Sequence, residues 1–204
     1  GGIDRVIEKI EGSTLTFDQP LEKEHFGAPF APVQVGQSFQ PASEVANLSR
    51  NVVIESVDPS GVRGHTMFHR GSTGGISYAE FRHLGKEGVL GKYSIHFHLV
   101  RDSMRGSGVV GASIWDSHNR WITIHGTDYL LVRDCVGYQS VGHGFFLEDG
   151  TEQYNVLDRN LAVQAFRGKR LPKQVLPFDF LCGKSRLPRQ SIHVTYLANG
   201  IIHA

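Results

Sequence analysis

Stretches of about 23 residues repeat along the middle of this chain, and that repeat constrains the fold more tightly than anything else in it. "SGVVGASIWDSHNRWITIHG" (107–126) is followed by "TDYLLVRDCVGYQSVGHGFFLEDG" (127–150). Laid on one another, Ile114 falls on Val136, Ile122 on Phe145 and Ile124 on Leu147, the first pair 22 residues apart and the other two 23. A further copy starts at 151–166; 78–100 fits with a longer loop, and 49–71 fits more loosely. Each copy holds short β-branched runs broken by Gly, Asn, Asp and Ser, with almost no helical periodicity. A period in the low twenties with short strands predicts an all-β fold, a right-handed parallel β-helix in which each repeat is one coil of the solenoid.

That register decides where an unusual motif points. In "YSIHFHLV" (93–100), Ile95 and Phe97 alternate with His96 and His98, which is strand periodicity. With Ile95, Ile122 and Phe145 turned inward, His98, His125 and Glu148 form one outward column on successive coils, about 4.8 Å apart. His69 extends the column one coil earlier, and a second column carries His96, Thr123 and Phe146.

Residues 1–45 are expected to be a separate N-terminal β segment and loop, with two strands around Glu11-Gly12-Ser13 and then a Pro/Gly/Phe-rich connection. The coils are expected over 46–166. Residues 167–204 read as a basic, proline-marked loop excursion and the start of a further coil, a stretch able to attract a polyanionic glycan or simply to be a solvated loop. The formal net charge of +1 supplies no global field for a polyanion or a membrane surface. No nucleic-acid module is evident, and no apolar run reaches the length of a membrane span. No signal peptide opens the sequence. Two cysteines, Cys135 and Cys182, cannot make a disulfide framework, so the redox compartment stays open.

The same stretches, "YSIHFHLV", "SIWDSHNRWITIHGTDYLLVRDCVGY" and "VGHGFFLEDGTEQYNVLDRNLAV", together with "EVANLSRNVVIES" and "GISYAEFRHLG", resemble the β-helix region of the cell-surface hyaluronidase family. Fibrocystin-like receptors share that architecture. The opening "IEGSTLTFDQPLEKEHFG" resembles the tail of the eight-glycine domain that precedes the β-helix there. The resemblance implies an extracellular or cell-surface protein that binds or degrades hyaluronan, with calcium, on which some members depend, as the implied cation. The partner it implies is a glycosaminoglycan or another acidic polysaccharide.

The residues themselves place chemistry on the outward column. His98, His125, His143 and Glu148 are the candidate catalytic groups, able to donate or accept protons at a glycosidic oxygen or a uronate C5. Gly142 and Gly144 on either side of His143 leave its imidazole accessible. His96, Asp116 and Arg120 are the candidate substrate contacts, Arg120 as a partner for a uronate carboxylate. Calcium prefers oxygen ligands and so would take Glu148 and Asp149; a zinc-type ion would take His98 and His125. Adjacent in a strand, Glu148 and Asp149 should face opposite sides, which leaves Glu148 with Asp116 of the previous coil as the possible carboxyl pair of a hydrolase. A lyase would instead use a histidine base with a neutralised carboxylate. The rival readings are a polar ladder on a solenoid face within a non-catalytic adhesion or receptor module, and an incomplete solenoid with exposed end coils.

Overall fold

The computed structural model describes residues 3–23, 25, 43–166, 193–194 and 202–203. The chain divides into two compact units, Gly1–Asn47 and Leu48–Ala204. In the first, β1 (Ile7–Glu11) and β2 (Thr14–Phe17) form an antiparallel hairpin around Gly12, whose φ of 60° is the left-handed geometry the turn needs. Arg5 and Asp18 close its open end: the Arg5 guanidinium donates to the Pro20 carbonyl, and the Val6 N–H donates to Asp18 Oδ1 at 2.9 Å.

In the second unit the strands follow in chain order as β3 (Val52–Glu55), β4 (Thr66–Phe68), β5 (Ile76–Ser77), β6 (Ala79–Arg82), β7 (Ile95–Arg101), β8 (Gly108–Val110), β9 (Ser113–Ser117), β10 (Ile122–Thr127), β11 (Leu131–Arg133), β12 (Val136–Val141), β13 (Phe145–Leu147), β14 (Val156–Asp158), β15 (Leu161–Phe166), β16 (His193–Val194) and β17 (Ile202–His203). They sort into three parallel sheets of five strands: β3-β6-β9-β12-β15 in sheet 1, β4-β7-β10-β13-β17 in sheet 2 and β5-β8-β11-β14-β16 in sheet 3. From β3 to β15 the chain visits the sheets in that order; β16 then adds to sheet 3 and β17 to sheet 2, and the unit is a parallel β-solenoid of about five turns. No helix among the described residues is long and apolar enough to cross a membrane.

The core is built from columns. In sheet 2, Ile95, Ile122 and Phe145 pair in register, as do Phe97, Ile124 and Leu147, and all six are buried. The Phe68 and Phe97 rings stack with centroids 4.7 Å apart. In sheet 3 the column is Val109, Val132 and Leu157. Each large side chain so buried contributes about 1.5–3 kcal/mol against the exposed state.

Sheet 1 corrects one expected alignment. Val136 pairs with Ser113, and the inward partner of Ile114 is Gly137. The inward column is Phe81, Ile114, Gly137 and Ala162. Gly137 breaks the apolar pattern because the Trp121 ring fills the space above it, so matching Ile114 to the nearest apolar residue slips the register by one.

Sharp bends recur at fixed places on the coil. His83, Asp116, Gln139 and Gln164 lie opposite one another in sheet 1, and all four have positive φ, between 46° and 60°. Tyr129 and Tyr154 share a φ of 58° at the corner between sheets 2 and 3, and their rings stack at 4.7 Å. Left-handed geometry costs a non-glycine residue about 1–3 kcal/mol. Contacts between successive bends offset it: Gln139 donates to Gln164, and Arg159 pairs with Asp134 at 2.7 Å. Buried asparagines do the same for backbone groups at the turns. Asn155 takes the Leu130 N–H and donates to the Thr127 carbonyl; Asn160 does so for Cys135 and Val132.

Candidate functional site

Sheet 2 places His98 directly opposite His125. Their Nδ1 atoms are 2.9 Å apart, and the His69 ring lies 5.3 Å from that of His98. His96, opposite Thr123, is on the same face. It nevertheless has only 1% of its surface exposed, because the 83–94 connection folds over it. Asn119 pins that connection by donating to the Lys86 and Val89 carbonyls at 2.9 and 3.2 Å. Leu90, Gly91 and Tyr93 thereby become walls of a cavity of about 210 Å³, completed by His96, His98, His125 and Glu148.

Glu148 follows the last residue of β13, and its N–H still donates to the Ile124 carbonyl, which extends the ladder by one position. Its Oε1 accepts from the Tyr93 hydroxyl at 3.3 Å and lies 3.3 Å from Arg120. Its Oε2 is 3.6 Å from His125 Nδ1 and 3.9 Å from His96 Nε2. Oε2 and His96 Nε2 are both buried and have no hydrogen-bond partner. Asp149 Oδ2 reaches the other nitrogen of His125 at 3.3 Å. The two adjacent carboxylates therefore approach one imidazole from its two nitrogens, rather than facing opposite sides. Strand alternation ends at Leu147, and beyond it Glu152 shapes the corner by accepting from the Gly126, Asp149 and Thr151 N–H groups.

His96 donates from Nδ1 to the Gly91 carbonyl at 3.0 Å, which leaves Nε2 as a lone pair. Burial pushes its pKa down to about 3; the Gly91 bond works against this, and the charges of His98, His125 and Arg120 add to it. Burial, then the neighbouring His125 and His69, also lower His98. The Tyr93 hydroxyl is driven up to about 12, chiefly by burial. His96 and Tyr93 are thus held neutral beside the carboxylate.

The remaining expected site residues divide. Arg120 is in the assembly but enclosed: its guanidinium lies 3.7 Å over Phe146 and 4.5 Å from the Tyr93 ring centroid, and faces Glu148 rather than an open groove. His143 stacks on Phe146 at 4.6 Å and is not part of the cavity wall. Asp116 is elsewhere, on β9 in sheet 1. It accepts from Arg63 at 3.0 Å and bonds His83 Nδ1 at 2.6 Å, with His118 3.8 Å away. Burial raises its pKa, but the His83 and Arg63 hydrogen bonds and charges outweigh this and hold it below the usual aspartate range. The structure thus does not assemble Glu148 and Asp116 as a carboxyl pair, because successive strands of one coil belong to different sheets. Trp121 is fully buried, and Trp115 donates from Nε1 to Glu80. The basic 167–190 stretch and Cys182 lie outside the described residues; Cys135 is a buried free thiol.

Tyr93, Gly91 and Glu152 were not legible as site residues. Tyr93 stands next to the histidine motif, but nothing local says that its ring turns back over it.

Calcium binds 6–8 oxygens. The cavity offers three imidazoles and one carboxylate, whose Oε1 is already engaged by Tyr93 and Arg120. This donor set does not fit calcium.

Residues 61–185 match the family model described as CEMIP beta-helix. Human cell surface hyaluronidase CEMIP2 is 38% identical over 151 residues, covering 64% of this chain and 11% of that protein. Human fibrocystin-L is 33% identical over 194 residues, covering 75% of this chain and 4% of that protein. A G8 domain-containing protein of Dictyostelium discoideum is 32% identical over 160 residues, covering 76% of this chain and 10% of that protein. The chain spans about a tenth or less of the length of these relatives.

Proposed function

Given that the chain belongs to the CEMIP beta-helix family, we propose that its sheet 2 cavity binds and cleaves a uronic-acid glycan, hyaluronan first, outside the cell or at its surface. The observation that carries this reading is the Glu148 carboxylate. Its Oε2 is buried, lacks a hydrogen-bond partner and faces His96 and His125 across a cavity. Burying a carboxylate oxygen without a partner is costly, and a bound ligand relieves that cost.

In this reading Tyr93 and Arg120 hold Oε1, so that Oε2 keeps a fixed aim. Glu148 moves a proton at the scissile bond, and the linked pair His98–His125 passes a proton between the cavity and solvent. One carboxylate against several imidazoles is closer to the base-and-acid set of a lyase than to the two facing carboxyls of a hydrolase.

The name of the human hyaluronidase relative supports hyaluronan as the substrate. The test is incubation of the folded chain with long hyaluronan, following chain length and the ultraviolet absorbance of unsaturated products. Shortening with new absorbance is the expected result; shortening without it reassigns the chemistry to hydrolysis. Unchanged chain length with a folded sample overturns cleavage by this chain. The second reading, a non-catalytic glycan- or protein-binding module, is supported by the broader match to fibrocystin-L. It predicts glycan or protein binding without turnover, and tolerance of His98→Ala and Glu148→Ala in a binding assay.

A further inference from the structure

We propose that His96, His98 and His125 form a three-imidazole site for a first-row divalent transition-metal ion, zinc foremost, with Glu148 Oε2 beside the ion. One ring nitrogen from each of the three histidines lies within 4.8 Å of the others. Four ligands at zinc bond lengths of ~2.0–2.2 Å stand about 3.3–3.6 Å apart at tetrahedral angles. The observed separations lie around that value: 2.9 Å between the His98 and His125 Nδ1 atoms, 3.6 Å from His125 Nδ1 to Glu148 Oε2, and 3.9 Å from His96 Nε2 to the same oxygen. The three histidine nitrogens lie within 4.8 Å of one another, so side-chain movement closes the longest separation on binding.

The outer contacts set the tautomers this requires. A metal-binding imidazole ordinarily donates its far N–H to a carbonyl or carboxylate. His96 does so from Nδ1 to Gly91, which presents the Nε2 lone pair to the cavity. The far nitrogen of His125 lies 3.3 Å from Asp149, which presents Nδ1. Between two neutral imidazoles, the 2.9 Å Nδ1–Nδ1 contact needs a proton; a cation in that place uses both lone pairs. His96 supplies the strongest observation. Its side chain is almost wholly buried, and Nε2, aimed into the cavity, has no hydrogen-bond partner.

Nitrogen donors in this number select a borderline ion over calcium or magnesium. The family resemblance implies calcium; the donor set of this cavity implies otherwise. Such an ion would supply a Lewis acid at the wall of the cavity, and His98 and His125 would then serve as ligands instead of as a proton relay. The site itself does not rest on the glycan reading, and its test needs no glycan.

The test strips the whole chain with a chelator, titrates it with cobalt(II) followed by visible absorption, and then challenges it with zinc and with calcium. The expected result is one cobalt per chain with d–d bands of a low-coordinate site, displaced by zinc and unmoved by calcium. His98→Ala and His96→Ala should each abolish the bands, with circular dichroism reporting the fold. The partly exposed His98 carries the test if the His96 variant does not fold. Asp149→Asn should weaken binding about 10–100-fold, the usual effect of losing an outer hydrogen-bond partner. A folded chain that binds no cobalt, bands that survive in His98→Ala, or displacement by calcium would each overturn the proposal.

Discussion

Trp121 occupies the space that a side chain at Gly137 would need. A Cβ placed on Gly137 falls inside contact distance of the indole, and the same is true of Gly144. One aromatic ring thus fills two positions of the next coil. Its N–H, buried without a hydrogen-bond partner, shows that the ring is kept for its volume.

Gly137→Ala should therefore destabilise the solenoid by about 1–3 kcal/mol through overpacking. Trp121→Ala should cost about 3–5 kcal/mol through the cavity it leaves. Trp121→Phe should fall well short of that loss, because no hydrogen bond goes with the indole. Urea midpoints of the three variants check the order.

Glu148→Gln should lower hyaluronan cleavage about 10²–10⁴-fold, and also lower the thermal midpoint, since the buried Arg120 loses its counter-charge. Tyr93→Phe, which removes one of two groups holding Oε1, should lower it less. Rates on size-defined hyaluronan separate the two. Equal activity of Glu148→Gln and the parent chain would rule out Glu148 as the proton-transfer group.

Asp116 is predicted to make acid sensitivity a property of sheet 1. Its folded pKa lies below its ordinary value of 3.8. Its contribution to stability is therefore complete above 3.8 and disappears as pH falls through the lower folded value. Asp116→Asn should cost about 1–2 kcal/mol at neutral pH through the lost charged hydrogen bonds. It should also flatten the acid limb in a series of urea melts spanning that range.

Asn155→Ala should destabilise by about 2–4 kcal/mol, since it leaves the Leu130 N–H and the Thr127 carbonyl buried without partners. Hydrogen exchange should show the loss first at the corner between sheets 2 and 3.

How much of this could be read in advance follows from period. Inward columns such as Ile122–Phe145 and Ile124–Leu147 repeat, and so does the His98–His125 pair above them; period alone placed these. Gly137 escaped because its register depends on the Trp121 ring, which comes from the bend before β10 on the preceding coil. The cover over His96 escaped because the 83–94 connection has no repeat, and its course is set by hydrogen bonds from Asn119. Asp116 and Glu148 were paired in expectation because both are acidic and one coil apart; the three-sheet cross-section sends them to different walls.

The left-handed bends at His83, Asp116, Gln139 and Gln164 carry a consequence for how such a protein can diversify. They define the outline of the coil by backbone geometry, with quite different side chains at one position. Chain can therefore be inserted between bends without changing that outline. His98 and His125 are paired in register although 27 residues apart, Ser117 and Ser140 although 23 apart. The scaffold thus acts like a loom with a fixed warp. A lengthened connection such as 83–94 lays a new lid over an old strand face, so relatives with one cross-section can acquire different pockets by changing loop length alone.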